Sequence, residues 1–340
     1  MSEGKHGMAH RLLSFFFVLA LSLTLFSCGG TSYHTARLYG MGTFCTFTLE
    51  GAPDEDGDAS PELAVLLDLV EDTLSHRRED SAVAAINRGE RVVVDNRLLS
   101  ALLLSEEVKE KTQGLFSLSI LPLTSLWNFD DESPTPPDAD AIDTALLQTV
   151  KGTLIFENGT VWKKGGAIDL GAIGKGYACD VLADALRARG ESGLISVGGS
   201  LAAVGGKGEN AWQVGVRDPF SDVQSDLIGT LSLTDAAVST SGSYEKTFTY
   251  EGEKYHHILD PYTGMPAVSD LVSVTVVAES GVLTDILSTA CFLVGSERAL
   301  SLAAEYEAAV LLVKSDGTLI ANGAMKALFS PDGGREVVVP

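Results

Sequence analysis

The sequence predicts an α+β fold. Segments of period-two alternation and tight-turn signals recur along the chain, and other segments carry apolar residues at helical spacing. The two kinds do not follow one another in a regular strand–helix–strand beat, which argues against a doubly wound parallel sheet. With 340 residues the chain is long enough to bury a full core, as one large domain or two intertwined ones.

Taken in order, the first residues read as an address rather than as fold. Lys5, His10 and Arg11 precede the apolar run Leu12–Phe26, which is shorter than the ~20 residues a spanning helix needs. "LFSC" (25–28) resembles a bacterial lipobox, with the bulky Phe26 as a departure; the plain alternative is an ordinary signal peptide. The expected organisation is a lipoprotein signal peptide over 1–27, lipidation at Cys28, a tether over 28–37 and one domain over 38–340. "LYGMGTFCTFTLEG" (38–51) alternates and predicts a strand, and "APDEDGDASP" (52–61) predicts a solvated loop. Helical spacing marks 62–75 and 98–111, the second ending before Gly114. The prolines of "DDESPTPPDAD" (130–140) exclude helix and inner strand. "ENGT" between Leu154–Phe156 and Val161–Lys163 signals a hairpin. A helix carrying Tyr177, Val181 and Ala185 on one face stops at Gly190. Strands follow at 194–198, 212–217, 227–233, 247–250 and 271–278, helices at 284–293 and 297–306, and a closing hairpin in "VLLVKSDGTLIAN".

Composition removes some functions. Forty-six acidic against 24 basic side chains give a net charge of −22, a field that repels nucleic acid phosphates. Beyond Cys28, the cysteines at 45, 179 and 291 are widely spaced within apolar stretches, which fits small buried hydrophobes and neither a disulfide framework nor a zinc pattern.

Chemistry concentrates in five short stretches. "DLGAIGKGYACD" (169–180) places glycines and Lys175 at the start of a helix, where unpaired N–H groups and a cation favour an anion. It is not a P-loop, because Asp169 and Gly176 stand where that motif needs glycine and Ser or Thr. Tight strand–helix packing is the competing reading. "SVGGS" (196–200) is a strand entering a glycine turn, and "STSGSYEK" (239–246) is rich in hydroxyls. In "HHILDPYTGMP" (256–266) adjacent histidines on a strand point to opposite faces, so His256 and His257 make a poor joint metal site. One of them facing a pocket is a plausible general base; a structural histidine is the alternative. In "TDILSTACF" (284–292) Asp285, Ser288 and Thr289 share a helix face and offer oxygen ligands suited to Mg²⁺. The alternative there is Thr284 as helix N-cap with Asp285 favouring the dipole.

In order and spacing, these stretches together with "MGTFCTFTLEG", "SHRREDSAVAAIN", "GLFSLSILPLTSLWNF", "VGVRDP" and "SVTVVA" resemble the ApbE-type FAD:protein FMN transferases over nearly all of the chain after the signal. The resemblance implies a single α+β unit of two subdomains with FAD in the cleft between them. It implies Mg²⁺-dependent transfer of the FMN half of FAD to a Thr or Ser hydroxyl of an exported acceptor protein, with AMP released. Such a reaction belongs at the bacterial cell envelope, on the periplasmic side of a membrane.

The resemblance also assigns roles residue by residue. Met41, Leu115, Phe116, Ser117, Asp169, Lys175 and Leu259 are expected to contact FAD, with Asp169 on adenine or ribose and Lys175 at the pyrophosphate. The Ala172 carbonyl, Asp285, Ser288 and Thr289 are expected to hold Mg²⁺. His257 is the expected base, assisted by Asp285. Two positions depart from the family pattern: Arg77 stands where a tyrosine is common, and Ser117 where an aspartate is common. Hydrolysis of FAD to FMN and AMP, and carriage of FAD without turnover, are the competing functions.

Overall fold

The computed structural model describes residues 32–51, 61–149 and 152–340. The expected signal peptide, Cys28 and most of the loop over 52–61 lie outside the described residues. In chain order the elements are β1 (Tyr33–Gly40), β2 (Thr43–Glu50), α1 (Pro61–Leu74), α2 (Ala82–Asn87), β3 (Val92–Val93), α3 (Asn96–Lys111), α4 (Leu121–Trp127) and α5 (Ala139–Thr149). There follow β4 (Thr153–Glu157), β5 (Thr160–Lys164), α6 (Gly174–Arg189), β6 (Gly193–Val197), β7 (Ser200–Val204), β8 (Trp212–Arg217), β9 (Leu227–Leu233), β10 (Ala236–Gly242), β11 (Thr247–Tyr250), β12 (Glu253–His256) and β13 (Leu271–Ala278). The chain closes with α7 (Gly281–Val294), α8 (Ser296–Glu305), β14 (Ala309–Lys314), β15 (Leu319–Ala321), α9 (Gly323–Leu328), β16 (Phe329–Pro331) and β17 (Val337–Val338).

The α+β expectation holds. A nine-stranded sheet runs β1-β2-β6-β7-β10-β13-β14-β15-β17, antiparallel throughout except for the β15–β17 pair. Strands β13 and β14 are buried on both faces, so they read as near-continuous apolar runs. In β14, Val310 and Leu312 join the core beneath α1, α3, α6 and α7. The alternate residues Ala309, Leu311 and Val313 join a second core under the β16-β9-β8 sheet, with Trp212, Ile228 and Leu231. A third cluster gathers Leu123, Trp127, Ile142, Ala145 and Leu259.

Three expectations are corrected. Residues 38–51 form a hairpin rather than one strand: Met41 (φ 55°) and Gly42 (φ 68°) make the turn. Two positive φ values suit the right-handed twist of a two-residue hairpin. The tether assigned to 28–37 fails for residues 33–37, which lie in β1 and pair with β2. The helix expected at 284–293 begins at Gly281, with Ser280 as its N-cap. Thr284 is therefore inside the helix, where its hydroxyl donates to the Gly281 carbonyl (2.9 Å). The three cysteines are buried free thiols.

Candidate active site

The site grows from the crossing of α6 and α7. A Cβ on Gly176 would collide with the Gly281 carbonyl, and one on Gly281 with the Gly176 carbonyl, so the two backbones touch where only glycine fits. Asp180, one turn further along α6, caps α7 by accepting from Gly281 N (2.6 Å), Val282 N (3.1 Å) and Ser280 Oγ (2.9 Å). Burial pushes its carboxyl above the usual range, and the three donors oppose that shift. The last residue of "DLGAIGKGYACD" thus locks one helix to the other.

That crossing brings Asp285 to the start of α6. Its Oδ2 accepts from Gly176 N (2.6 Å) and its Oδ1 from Ser200 Oγ (2.5 Å). Gly176 is the third residue of α6, so its N–H is a first-turn donor without an intrahelical acceptor, and Asp285 supplies one. Ser241 Oγ, on β10, lies 2.9 Å from Ser288 Oγ and 3.1 Å from Thr289 Oγ1. The first turn of α6, which opens just after Ala172, therefore meets the helix face that carries Asp285, Ser288 and Thr289. Asp285 is only 5% exposed, and both its oxygens accept from neutral donors. A buried carboxylate without a cation is costly, and carboxylate, carbonyl and hydroxyl oxygens suit a hard divalent ion. The residues present fit Mg²⁺. Among the described residues no three His, Cys, Asp or Glu side chains converge on a metal position, so a cation here would rest on one carboxylate and neutral oxygens.

Lys175 leaves the same turn toward the β6–β7 glycines. Its Cδ lies 3.3 Å from where a Cβ of Gly198 would sit. Thr43, just past the turn of the first hairpin, borders Gly198 from the other side. Met41 joins here: its N–H donates to Glu71 Oε2 (3.1 Å), and its Cε lies 3.4 Å from a Cβ position on Gly174.

Across from Lys175 stands His257, immediately after β12. Its Nδ1 lies 3.1 Å from the Glu245 carbonyl. A carbonyl only accepts, so Nδ1 carries the proton and Nε2 keeps its lone pair. Burial, with the nearby Lys175 charge adding to it, lowers the His257 pKa to about 4 against the opposing carbonyl bond. His256 is different: its Nε2 lies 3.2 Å from the Ala267 carbonyl and its ring meets Phe292 edge-on (5.8 Å between centroids). Both rings are partly buried, and it is His257 that feels the Lys175 charge.

Asp169 anchors a second cluster. Its Oδ2 accepts from Thr124 Oγ1 (2.8 Å), its Oδ1 from Gly171 N (2.9 Å), and His76 Nδ1 lies 3.7 Å away. The Asp169 N–H donates to the Leu118 carbonyl (2.8 Å), which brings the 115–117 turn alongside. Leu115 and Ser117 are half-buried there. Two expected contacts are corrected. The Phe116 side chain is 1% exposed in the main core, and that of Leu259 is 4% exposed in the third cluster, so only their backbones remain for a ligand. Arg77 donates to Asp130 Oδ2 (3.4 Å). Ser200, Ser241, Glu245 and His76 enter the site without having been singled out. The hydroxyl-rich stretches "SVGGS" and "STSGSYEK" held the signal for the first three.

The chain's residues 41–312 match the model of the ApbE family. The chain belongs to the ApbE family. Two relatives bear the name FAD:protein FMN transferase. That of Treponema pallidum is 34% identical, the match covering 82% of this chain and 84% of the relative. One of Klebsiella pneumoniae is 32% identical, covering 80% and 88%. Among solved structures, the ApbE protein of Thermotoga maritima superposes with a TM-score of 0.76 at 30% identity, covering 87% of this chain and 99% of that one. The flavin transferase ApbE of Vibrio cholerae gives 0.73 at 26% identity, covering 87% and 100%. The ApbE match begins at Met41, on the turn of the first hairpin, and takes in every site residue described above.

Proposed function

We propose that this chain transfers the FMN moiety of FAD to a Thr or Ser hydroxyl of an exported acceptor protein, with Mg²⁺, releasing AMP. The activity named for the relatives supports the reaction class. The observation that carries the site reading is Asp285: a buried carboxylate held by neutral donors, near three hydroxyls and against the first turn of α6, which carries Lys175. Mg²⁺ would be held by Asp285, the Ala172 carbonyl, Ser288 and Thr289, and when bound would neutralise charge on the pyrophosphate.

The chain's own residues do the rest. Asp169, Met41, Leu115 and Ser117 hold the nucleotide, with the backbones of Phe116 and Leu259. Lys175 binds a phosphate oxygen. His257, neutral at pH 7, takes the hydroxyl proton on Nε2. The acceptor oxygen then forms a bond to the FMN phosphorus, the bridging P–O bond breaks, and its electron pair leaves on AMP. The work is positioning and charge stabilisation. The signal at 1–27 and a lipid anchor at Cys28 complete the proposal by placing the domain on the periplasmic side of a membrane.

The test is to incubate the chain with FAD, Mg²⁺ and an exported electron-transfer domain carrying a threonine motif. Fluorescent flavin on the denatured domain, with AMP in solution, is the expected result. AMP with free FMN and unlabelled protein would replace transfer by hydrolysis. Asp285→Ala, or a chelator, is expected to lower the rate at least ~10²-fold with the fold intact. An Asp285→Ala variant at full activity sinks the metal assignment.

A further inference from the structure

Glu245 stands between the two groups the proposed chemistry uses and belongs to neither. It follows β10 in the bend that leads to β11, and its backbone carbonyl is the acceptor that fixes His257 Nδ1. Its carboxylate turns the other way, toward Lys175. A Cβ on Gly199 would lie 3.9 Å from Lys175 Nζ and 4.0 Å from Glu245 Oε2, so the two charged heads flank one point above bare backbone. Nothing steric demands glycine there. The nearest other atom, the Thr240 carbonyl oxygen, would be 3.7 Å from that Cβ, an ordinary contact, and Gly199 does not adopt positive φ. What a side chain at 199 would occupy is the space between the ammonium and the carboxylate.

The carboxylate makes no hydrogen bond among the described residues. Burial raises its pKa, and Lys175, then Arg217 and Lys246, oppose the rise. A partly desolvated carboxylate with its nearest charge an ammonium across a gap is held by that charge rather than by local hydrogen bonds.

We propose that Glu245 is a positioning residue of the transfer site: its carboxylate holds the Lys175 ammonium over Gly199 while its carbonyl holds the His257 ring with Nε2 free. One residue thereby sets the distance between the cation on the phosphate and the base on the incoming hydroxyl. Misplacing either group costs rate more than binding, because alignment matters most as the bond forms. The inference rests on the roles given above to Lys175 and His257.

The experiment uses the full chain with FAD, Mg²⁺ and the threonine-motif domain, measuring kcat, KM for each substrate, FAD affinity and melting temperature. Glu245→Gln keeps the size and removes the charge; kcat should fall on the order of 10²-fold, with FAD affinity and melting temperature near those of the unaltered chain. Glu245→Asp, which keeps the charge on a shorter arm, should recover part of the rate. Gly199→Ala should fold and lower kcat in the same way. Lys175→Ala and His257→Ala are run beside them. If those two lose activity and Glu245→Gln does not, this inference alone fails. If those two retain activity, the site reading beneath it fails and the inference with it. Equal losses in Glu245→Gln and Glu245→Asp, in step with falling FAD affinity and melting temperature, would make Glu245 a structural residue and also overturn the inference.

Discussion

The α6–α7 crossing and the β11–β12 hairpin face each other across the site and are held by different means. At the crossing, backbone meets backbone at Gly176 and Gly281, and the interface is sealed by Asp180 and Asp285, which bond to main-chain N–H groups. The hairpin that delivers His257 rests on side chains. Phe248 and Tyr255 stack (5.2 Å between centroids) and lean on Trp127 and Phe129, while Lys246 and Arg77 reach the single carboxylate of Asp130. The side proposed to hold metal and phosphate is thus fixed by geometry that tolerates no added atom, and the proposed base is carried on a support that can yield. A transferase that handles one nucleotide but must admit a protein hydroxyl gains from that division: the constant partner meets the rigid wall.

The largest expected effect follows from the rigid side. Gly176→Ala places a methyl against the Gly281 carbonyl, and neither helix can retreat without breaking the Asp180 and Asp285 bonds. Overpacking with flexible neighbours costs ~1–3 kcal/mol; against backbone the loss should be at least ~3 kcal/mol, read as a fall in the urea midpoint. A midpoint unchanged within error would show that the crossing is not rigid.

The yielding side should instead reveal itself through pH. His257 has its folded pKa lowered to about 4 from 6.5. Between those values the unfolded chain binds a proton that the folded chain refuses, so stability is lost as pH falls from 6.5 towards 4. The contribution is roughly 3 kcal/mol once the pH is below the folded value. His257→Gln removes it, so the variant's stability should fall less over that window than the unaltered chain's. His256, also lowered by burial, stays in both and cancels. Parallel urea-midpoint curves would mean that the ring is more open to water than the hairpin packing implies.

The same division governs what the sequence made legible. Strands 212–217, 227–233 and 271–278 are found where alternation or an apolar run is bounded by turn residues, and the structure returns those bounds. Residues 38–51 read as one strand, with 33–37 taken for tether, because alternation continues through Met41 and Gly42, whose turn lies in φ rather than in composition. β10 escapes because its hydroxyls look like a loop; they pair with α7, Ser239 with Thr284 (2.8 Å, buried) and Ser241 with Ser288 (2.9 Å, partly buried), which periodicity does not register. Asp285 and Lys175 were visible as types of chemistry at helix starts. The capping of the first turn of α6 by Asp285 was not, since it depends on Gly176 donating to a carboxylate 109 residues away. Phe116 and Leu259 show the converse: motif position suggested side-chain contacts, while the third dimension gave those side chains to two cores.

The smallest expected effect sharpens the account of the hairpin itself. Asp130 receives Lys246 Nζ at 2.9 Å and Arg77 Nη2 at 3.4 Å, but the two cationic side chains are 60% and 69% exposed. The Lys246 bond, then burial opposing it, then Arg77, leave the Asp130 carboxyl below its usual range. Water competes for all three groups, so the ion pairs should contribute less than ~1 kcal/mol. The stacked rings beneath are partly buried and carry the docking by area and ring geometry. Asp130→Asn should therefore shift the midpoint by under ~1 kcal/mol, and the shift should vanish in high salt as screening removes the charge contribution. A larger loss, persisting in salt, would make the ion pairs rather than the aromatic stack the clasp, and would move Arg77 from a substitution in the nucleotide region to a structural one.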